Sequence, residues 1–350
     1  MLQPVRTFDT ATALVDDGRF NFGTYDRPFQ RVNPLDADVL PSLPLKPPSA
    51  LKWLRLKEWQ AIQLGDERVF VNVALFNAKL LALAQVKVFD RRHGTLTLYE
   101  RKLPPWVLRA PQGLLDSTFA HSGRDGHITF RNRLAESRIE VSVDIAPRGG
   151  PRVQAEVTAL TDGQQPQVVC IPFAENRGMY SHKGLVPARG RVTIDGEHFE
   201  LSDERAFALL DDHKGYYPYR MRWDWLTAAG RRPDGELVGF NLTRNQSTDQ
   251  ARYNENCLWR AGRAYLLPPV TFTRHPDEHP ERWRVHDEAG QVDVSFTIQA
   301  RSRVDINALL IRSDYDGPLG LCSGTIRAES AAPLEVDGLF GMGERFDLRC

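Results

Sequence analysis

The chain of 350 residues is short of the features that mark several large classes of protein. Its four cysteines, Cys170, Cys257, Cys322 and Cys350, lie far apart and form no C-x-x-C pair. That argues against a zinc ribbon or a dense disulfide scaffold, and reads as reduced thiols, two or three of them filling the core. Neither sign of charge is in excess, with 45 Lys and Arg against 45 Asp and Glu. A nucleic-acid groove or a polybasic membrane surface is therefore not its main business, although a local basic pocket stays open. No apolar run reaches the roughly 18 residues of a transmembrane helix, and the opening M-L-Q-P-V-R-T-F-D-T has no apolar run of signal-peptide length. The expected location is cytoplasmic. Helical periodicity of useful length is almost missing. There is no G-x-S-x-G elbow and no phosphate loop, and Gly338, Gly341 and Gly343 open no helix that would make a dinucleotide fingerprint.

What is present is strand after strand. Thr10–Asp17 predicts a short helix stopped by Gly18, and residues 28–48 hold Pro28, Pro34, Pro41, Pro44, Pro47 and Pro48. This predicts an extended arm on the surface, anchored by Phe29, Val32, Leu40 and Leu43. From Leu51 onward, short apolar runs alternate with turn signals at roughly ten-residue spacing, the mark of an antiparallel sandwich or barrel. Leu51–Gln63, Arg68–Asn77, Leu80–Asp90 and Thr95–Arg101 are the first of them, with Gly65-Asp66, Asn77-Ala78-Lys79 and Arg92-His93-Gly94 between. A second run follows Asp195-Gly196, with strands expected at Ala264–Phe272, Val292–Arg301 and Val304–Ile311 among others. The expected organisation is a proline-rich arm over 1–50, a β-domain over 51–188 and a second over 189–350, with the boundary near Pro187–Gly190.

The densest stretch runs from Asp211 to Glu255. Met221, Trp223, Trp225 and Thr227 alternate with Arg222, Asp224 and Leu226, the period of a strand. Arg231-Arg232-Pro233-Asp234-Gly235 is a turn. The return strand sends Val238, Phe240 and Leu242 to one face and Gly239, Asn241, Thr243 and Asn245 to the other. Asn and Asp are depleted in strands, so the polar stripe breaks local preference, as functional positions do. Asn254 and Glu255 follow it. The competing reading is a buried hydrogen-bond network. Which face points inward cannot be read from the pattern.

Three further groupings carry chemistry. Asp211, Asp212 and His213 share one tripeptide beside Lys214. A carboxylate that orients an imidazole suits acid–base work, while the plainer reading is a solvated turn. Asp224 is either half of a surface Arg–Asp pair or an acid facing a barrel interior. Glu175, Asn176, Arg177, Tyr180, His182 and Lys183 form a dense polar loop that reaches over a pocket, or else a solvated connection. Tyr216, Tyr217, Tyr219 and Arg220 line the same mouth in this reading. No zinc site is expected, because only one His lies near the Asp pair.

The order G-R-V-T-I-D-G-E at 190–197, D-D-H-K-G at 211–215 and W-D-W at 223–225 resembles the calycin-related double-lipocalin group, which includes carotenoid hydratases, tocopherol cyclase and lipocalin-like pericyclases. Where that group carries a Trp ahead of its D-H-x-x-G step, this chain has Leu210. Across nearly its whole length the chain also resembles the bacterial domain of unknown function 2804 family. The strings F-A-E-N-R-G-M-Y-S-H-K, G-Y-Y-P-Y-R-M-R-W-D-W, G-F-N-L-T and G-L-F-G-M-G-E carry that likeness. The resemblance implies two lipocalin-like antiparallel β-barrels or curved sheets in tandem. It implies a ligand cavity in a barrel.

The expectation is an all-β, cofactor-independent enzyme of the isomerase, hydratase or cyclase type, acting on an apolar unsaturated molecule, lipid-like or polyketide-like. Asp224, or the Asp212–His213 pair, supplies the proton. Asn241, Asn245 and Asn254 hold a substrate oxygen or water, and Arg177 and Arg220 hold a carboxylate bidentately. The partner is a small hydrophobic or amphipathic molecule, not nucleic acid, and a homodimer stays open. A carrier of small hydrophobes without chemistry uses the same cavity, and a carbohydrate-active β-sandwich requires paired carboxylates across a cleft.

Overall fold

A computed structural model describes residues 7–39, 48–307, 312–329 and 331–349. Leu40, Pro41, Leu43, Pro44, Pro47 and Cys350, and the end of the strand expected at Val304–Ile311, lie outside them. In chain order, β1 (Val15–Asp16) and β2 (Arg19–Phe20) make a small ribbon, and β3 (Gly23–Tyr25) follows. After the helix α1 (Ser49–Arg55) come β4 (Lys57–Gly65), β5 (Val69–Asn77), β6 (Ala82–Asp90), β7 (Thr95–Leu103), β8 (Ser117–Gly123), β9 (Gly126–Arg133), β10 (Arg138–Ile145) and β11 (Val153–Leu160). Next are β12 (Gln167–Ala174), β13 (Arg177–Ile194), β14 (Glu197–Leu201) and β15 (Phe207–Gly215). The remainder is β16 (Arg220–Arg231), β17 (Leu237–Arg244), β18 (Cys257–Arg260), β19 (Arg263–Leu266), β20 (Thr271–His275), β21 (Arg282–His286), β22 (Val292–Asn307), β23 (Arg312–Ile326), β24 (Leu334–Glu335) and β25 (Phe340–Arg349).

The strands form two large antiparallel sheets, each curled around its own core, as the sequence pattern predicts. The first has 13 strands, with the path β7-β6-β5-β4-β15-β13-β11-β10-β9-β8. It bends because β13 is long: Met179–Pro187 pairs with β15, while Ala188–Ile194 pairs with β11. Ile62, Val73, Val86, Phe130, Val141, Val157, Val186 and Leu210 meet inside it. The second has ten strands, with the path β19-β18-β17-β16-β25-β23-β22-β21-β20, around Leu226, Phe240, Trp283, Val294 and Phe296. The chain leaves the first sheet at Gly215 and enters the second at Arg220. The boundary expected at Pro187–Gly190 falls inside β13, where the sheet turns a corner without ending.

The outer faces of the two half-barrels pack on each other. Phe70, Phe89, Phe207 and Leu209 of the first sheet meet Trp225, Trp259, Phe340 and Met342 of the second. Strands β4, β5, β6 and β15 are therefore buried on both sides, and their apolar runs are nearly continuous. Strands β10 and β11 bury one face and read as clean alternation.

Two local expectations differ from the structure. Thr10–Asp17 forms no helix, because its backbone is taken up by the arm: Leu14 N donates to Arg31 O at 2.9 Å, and Val15 pairs with Phe20. Ser49–Arg55, expected at the start of a strand, is helical, and β4 begins only at Lys57. The arm is anchored as expected, with Phe29 and Val32 buried against Val168, Cys170, Tyr180 and Tyr216.

Candidate functional site

A cavity of about 180 Å³ lies between the two sheets, far more than the roughly 10–15 Å³ that one water needs. It is not inside either half-barrel, where the resemblance placed it. Pleating decides what reaches it. On β15, Ala208 and Leu210 point into the first core, so Asp211 and His213 point the other way, into the cavity. On β4 the same parity delivers Trp59, Ala61 and Gln63. On β16 it delivers Trp223 and Trp225, while Leu226 and Ala228 enter the second core. Register then places side chains opposite one another: Lys183 faces Asp211, Ser181 faces His213, and Trp225 faces Glu344.

The cavity wall is mainly apolar, with Phe76, Leu83, Phe173, Met179, Met342 and Phe346 around it. Trp59 stacks on the His213 ring at 4.3 Å between centroids and on Trp223 at 5.6 Å. Two polar poles interrupt this wall.

At the first pole Asp211 Oδ1 accepts from Lys183 Nζ and lies 2.9 Å from His213 Nε2. Ser181 Oγ is 3.0 Å from the same nitrogen, and Glu255 Oε1 is 3.5 Å from it. The Tyr217 hydroxyl sits 3.3 Å from His213 Nδ1. Burial alone raises the Asp211 carboxyl, but Lys183 and His213 outweigh it and hold the group well below the usual carboxylate range. Burial pulls Lys183 down, but the charges of Asp211 and Glu255 more than restore it, so it stays a cation. Asp211 Oδ1 is thus placed to accept from His213 Nε2, and Nδ1 is the ring nitrogen that faces the Tyr217 hydroxyl.

At the second pole Glu344 accepts from Trp223 Nε1 at 2.9 Å and from the Tyr315 hydroxyl at 2.9 Å. Lys87 Nζ donates to the Tyr315 oxygen at 2.6 Å. Burial pushes the Glu344 carboxyl up against the pull of Lys87, Trp223 and Tyr315, and the negative charge of Asp211 pushes the same way. Burial brings Lys87 down to about 8. One cavity thus holds one carboxylate kept ionised and one kept toward its neutral acid form.

The polar stripe of β17 faces the cavity side and is a buried network with a purpose. Asn241 accepts from Trp225 Nε1 at 2.6 Å and donates to Glu255 O at 2.7 Å, and Asn245 donates to Glu255 Oε2 at 3.1 Å. Thr243 N donates to Asn256 Oδ1 at 2.6 Å. Asn254 ties the loop, donating to Gln250 O at 2.9 Å. These amides hold Glu255 and Trp225 in place; Thr243, Asn245 and Glu255 also line the cavity.

Several expected site residues lie elsewhere. Asp224 points away from the cavity and is paired with Arg274, whose guanidinium lies 4.7 Å over the Trp283 ring of the second core. Asp212 shares the far face of β15 with Lys214, 3.7 Å away, and register puts it opposite His182. Tyr180 is buried against the arm. The expected polar loop is a tight β12–β13 hairpin. Glu175 is exposed at its tip, Asn176 bonds Phe20 N at 3.1 Å and Gly18 O at 2.8 Å, and Arg177 donates to Phe173 O at 3.1 Å. Tyr219 is exposed, and Arg220 pairs with Asp347 on the surface. Neither Arg177 nor Arg220 lines the cavity. Glu344 was missed altogether, and Lys183 and Asp211, although they stood in the expected groupings, were given no role of their own in the expected chemistry. Parity was the available signal for Asp211, two residues from His213 in a strand, and an acid closing the apolar G-L-F-G-M-G run was the signal for Glu344.

One family model, described as Domain of unknown function (DUF2804), matches residues 6–349. Among curated proteins none matches. A solved kievitone hydratase from Nectria haematococca superposes with a TM-score of 0.51 at 13% identity, covering 84% of this chain and 88% of its own. CghA gives a TM-score of 0.49 at 13% identity over 83% and 87%. The hydratase likeness establishes the shared fold.

Proposed function

The chain belongs to the family described as Domain of unknown function (DUF2804), and from that premise and its cavity we propose an acid–base enzyme of the hydratase, isomerase or cyclase type. Its substrate is a small, mostly apolar, unsaturated molecule held between the two sheets. The observation that carries this reading is the pair of poles in one apolar cavity: Glu344, whose carboxyl burial pushes up, and Asp211, held ionised and aligned on His213, whose other ring nitrogen faces the Tyr217 hydroxyl. Titratable groups pushed apart by their surroundings mark acid and base.

In this reading Glu344 delivers its proton to a carbon–carbon double bond or a carbonyl oxygen of the substrate. The Tyr217 hydroxyl takes a proton from water, for hydration, or from a substrate C–H, for isomerisation or cyclisation, and passes its own to His213 Nδ1. Asp211 stabilises the imidazolium that results, and return of the proton from His213 to Glu344 through the product or solvent resets the site. Lys183 keeps Asp211 ionised. Trp59, Trp223 and Phe346 hold the apolar body and exclude water. That kievitone hydratase shares the fold supports the choice of reaction class.

The test is native mass spectrometry of the purified protein, extraction of what it carries, and incubation of that molecule with wild type and with Glu344→Gln. The expected result is a bound apolar molecule in both. Wild type then adds the mass of water, or changes the absorbance at constant mass, while Glu344→Gln is slower by about 10²–10⁴-fold. A molecule recovered unchanged from both proteins sinks the enzyme reading in favour of a carrier. A bound sugar sinks the apolar-substrate reading.

A further inference from the structure

One end of the first sheet gathers an apolar face that nothing among the described residues covers. There β4 begins, β5 ends, β6 begins and β7 ends, on four neighbouring strands. The segments that close this end are α1, the turn at 78–81, and the single 3₁₀ turn Pro105–Val107. They are fastened to one another. Asn77 Nδ2 donates to Pro105 O at 2.8 Å and to Leu108 O at 2.7 Å, and Lys79 Nζ lies 4.5 Å over the Trp53 ring. They expose Leu51, Trp53, Leu54, Leu80, Trp106 and Val107, with Trp106 at 71%. Large apolar side chains grouped in this way mark an interaction site.

The charge of this end is one-sided. Residues 48–57, 78–81 and 101–109 contain seven Lys and Arg and no Asp or Glu, in a chain whose net charge is zero. Lys52, Lys57 and Lys79 turn inward, to Leu35 O, Ala78 O and Glu58. Arg55, Arg101, Lys102 and Arg109 are exposed, Arg101 sharing its charge with Asp125 at 3.4 Å. At the opposite end of the same strands, Asp66 and Glu67 sit beside Arg68, and Arg92 pairs with Asp90. The cavity reaches the basic end, where Ala78, Leu81, Lys102 and the half-exposed Leu80 line it.

We propose that this end of the first sheet docks on an anionic lipid bilayer, with Trp106, Trp53 and Leu54 entering the headgroup region, so that the cavity mouth at Leu80 meets the membrane. Tryptophan prefers the water–hydrocarbon boundary, and lysine and arginine beside it are drawn to anionic lipid. An apolar ligand then passes from bilayer to cavity without crossing water. The docking stands independently of the acid–base reading, since no residue of either pole takes part.

The experiment is flotation of the full chain with vesicles of phosphatidylcholine alone, and of phosphatidylcholine mixed with phosphatidylglycerol, at low and high salt. Wild type is expected to float with the anionic vesicles, several-fold less with the neutral ones, and less again at high salt. Trp106→Asp and Arg109→Glu, two exposed positions away from the cavity wall, are each expected to lower the bound fraction by about tenfold with unchanged circular dichroism. Equal binding by both folded variants overturns the proposal. So does a wild type that stays with the aqueous phase. A wild-type dimer in size-exclusion chromatography that Trp106→Asp dissolves, without vesicle binding, assigns the face to a second copy of the chain instead.

Discussion

Glu344 and Asp211 are carboxylates walled into one cavity, and their neighbours push them in opposite directions. For Glu344 the sign of the linkage is specific. Its folded-state pKa lies above the unfolded one, so its contribution to stability is fully present below the ordinary glutamate range and is lost as pH rises through the raised value. A glutamine at this position cannot ionise and loses nothing. Thermal melts of Glu344→Gln are therefore expected to match or exceed wild type near pH 8 and to converge with it near pH 4, although turnover falls. A variant less stable at pH 8 than at pH 4, relative to wild type, contradicts the assignment. Asp224 supplies the contrast, since its carboxylate is bound to Arg274 on the far face. Asp224→Asn is expected to cost at most about 1 kcal/mol and to leave turnover of the carried molecule within roughly twofold. A large loss of turnover places Asp224 in the mechanism after all.

At the scale of elements, the site depends on how closely β25 lies against its neighbours. A Cβ added at Gly341 would stand 2.0 Å from Thr227 O on β16, and one at Gly343 would stand 2.6 Å from the Trp283 ring. The backbone contact at Gly341 cannot yield without parting the β16–β25 ladder that sets Glu344 opposite Trp225. Gly341→Ala is expected to lower stability by about 1–3 kcal/mol in urea unfolding, and to lower turnover further than Gly343→Ala, whose clash is with a side chain. Unchanged stability in Gly341→Ala contradicts the close approach. The β17 stripe acts at this scale too: Asn241 and Asn245 fix Glu255 at the first pole.

For the whole molecule, the decisive feature is that the cavity belongs to neither half. Trp223 of the second sheet touches Trp59 of the first, Tyr217 of the connection between them and Phe346 of its own sheet, and it donates to Glu344. Trp223→Ala is expected to abolish retention of the co-purifying molecule in native mass spectra and to cost about 3 kcal/mol of stability. Retention at wild-type level moves the ligand out of the space between the sheets. The exposed apolar, basic end of the first sheet and the cavity that reaches it form a second feature of the whole molecule.

Much of this was legible in the residues. Alternation in Met221–Thr227 and Val238–Asn245 gave the hairpin and the correct partition of its faces, and the strand spacing gave an all-β chain, because pleating is a local property of the backbone. Resemblance added the tandem arrangement. The helix Ser49–Arg55 escaped, being a single amphipathic turn or two beside strand-like tryptophans. Parity along β15 already separated Asp211 and His213 from Asp212, but periodicity has no sign: it tells which residues share a face and not what that face meets. Both faces of β4, β15 and β16 are covered, one by a half-barrel core and one by the other half-barrel. Only the packing of one sheet on the other decided that Trp223 and Glu344 line a cavity while Asp224, on the other face of β16, closes on Arg274. Lys183 is brought to Asp211, and Lys87 to Tyr315, 228 residues away, and through it to Glu344. No pattern local to the chain encodes such a meeting.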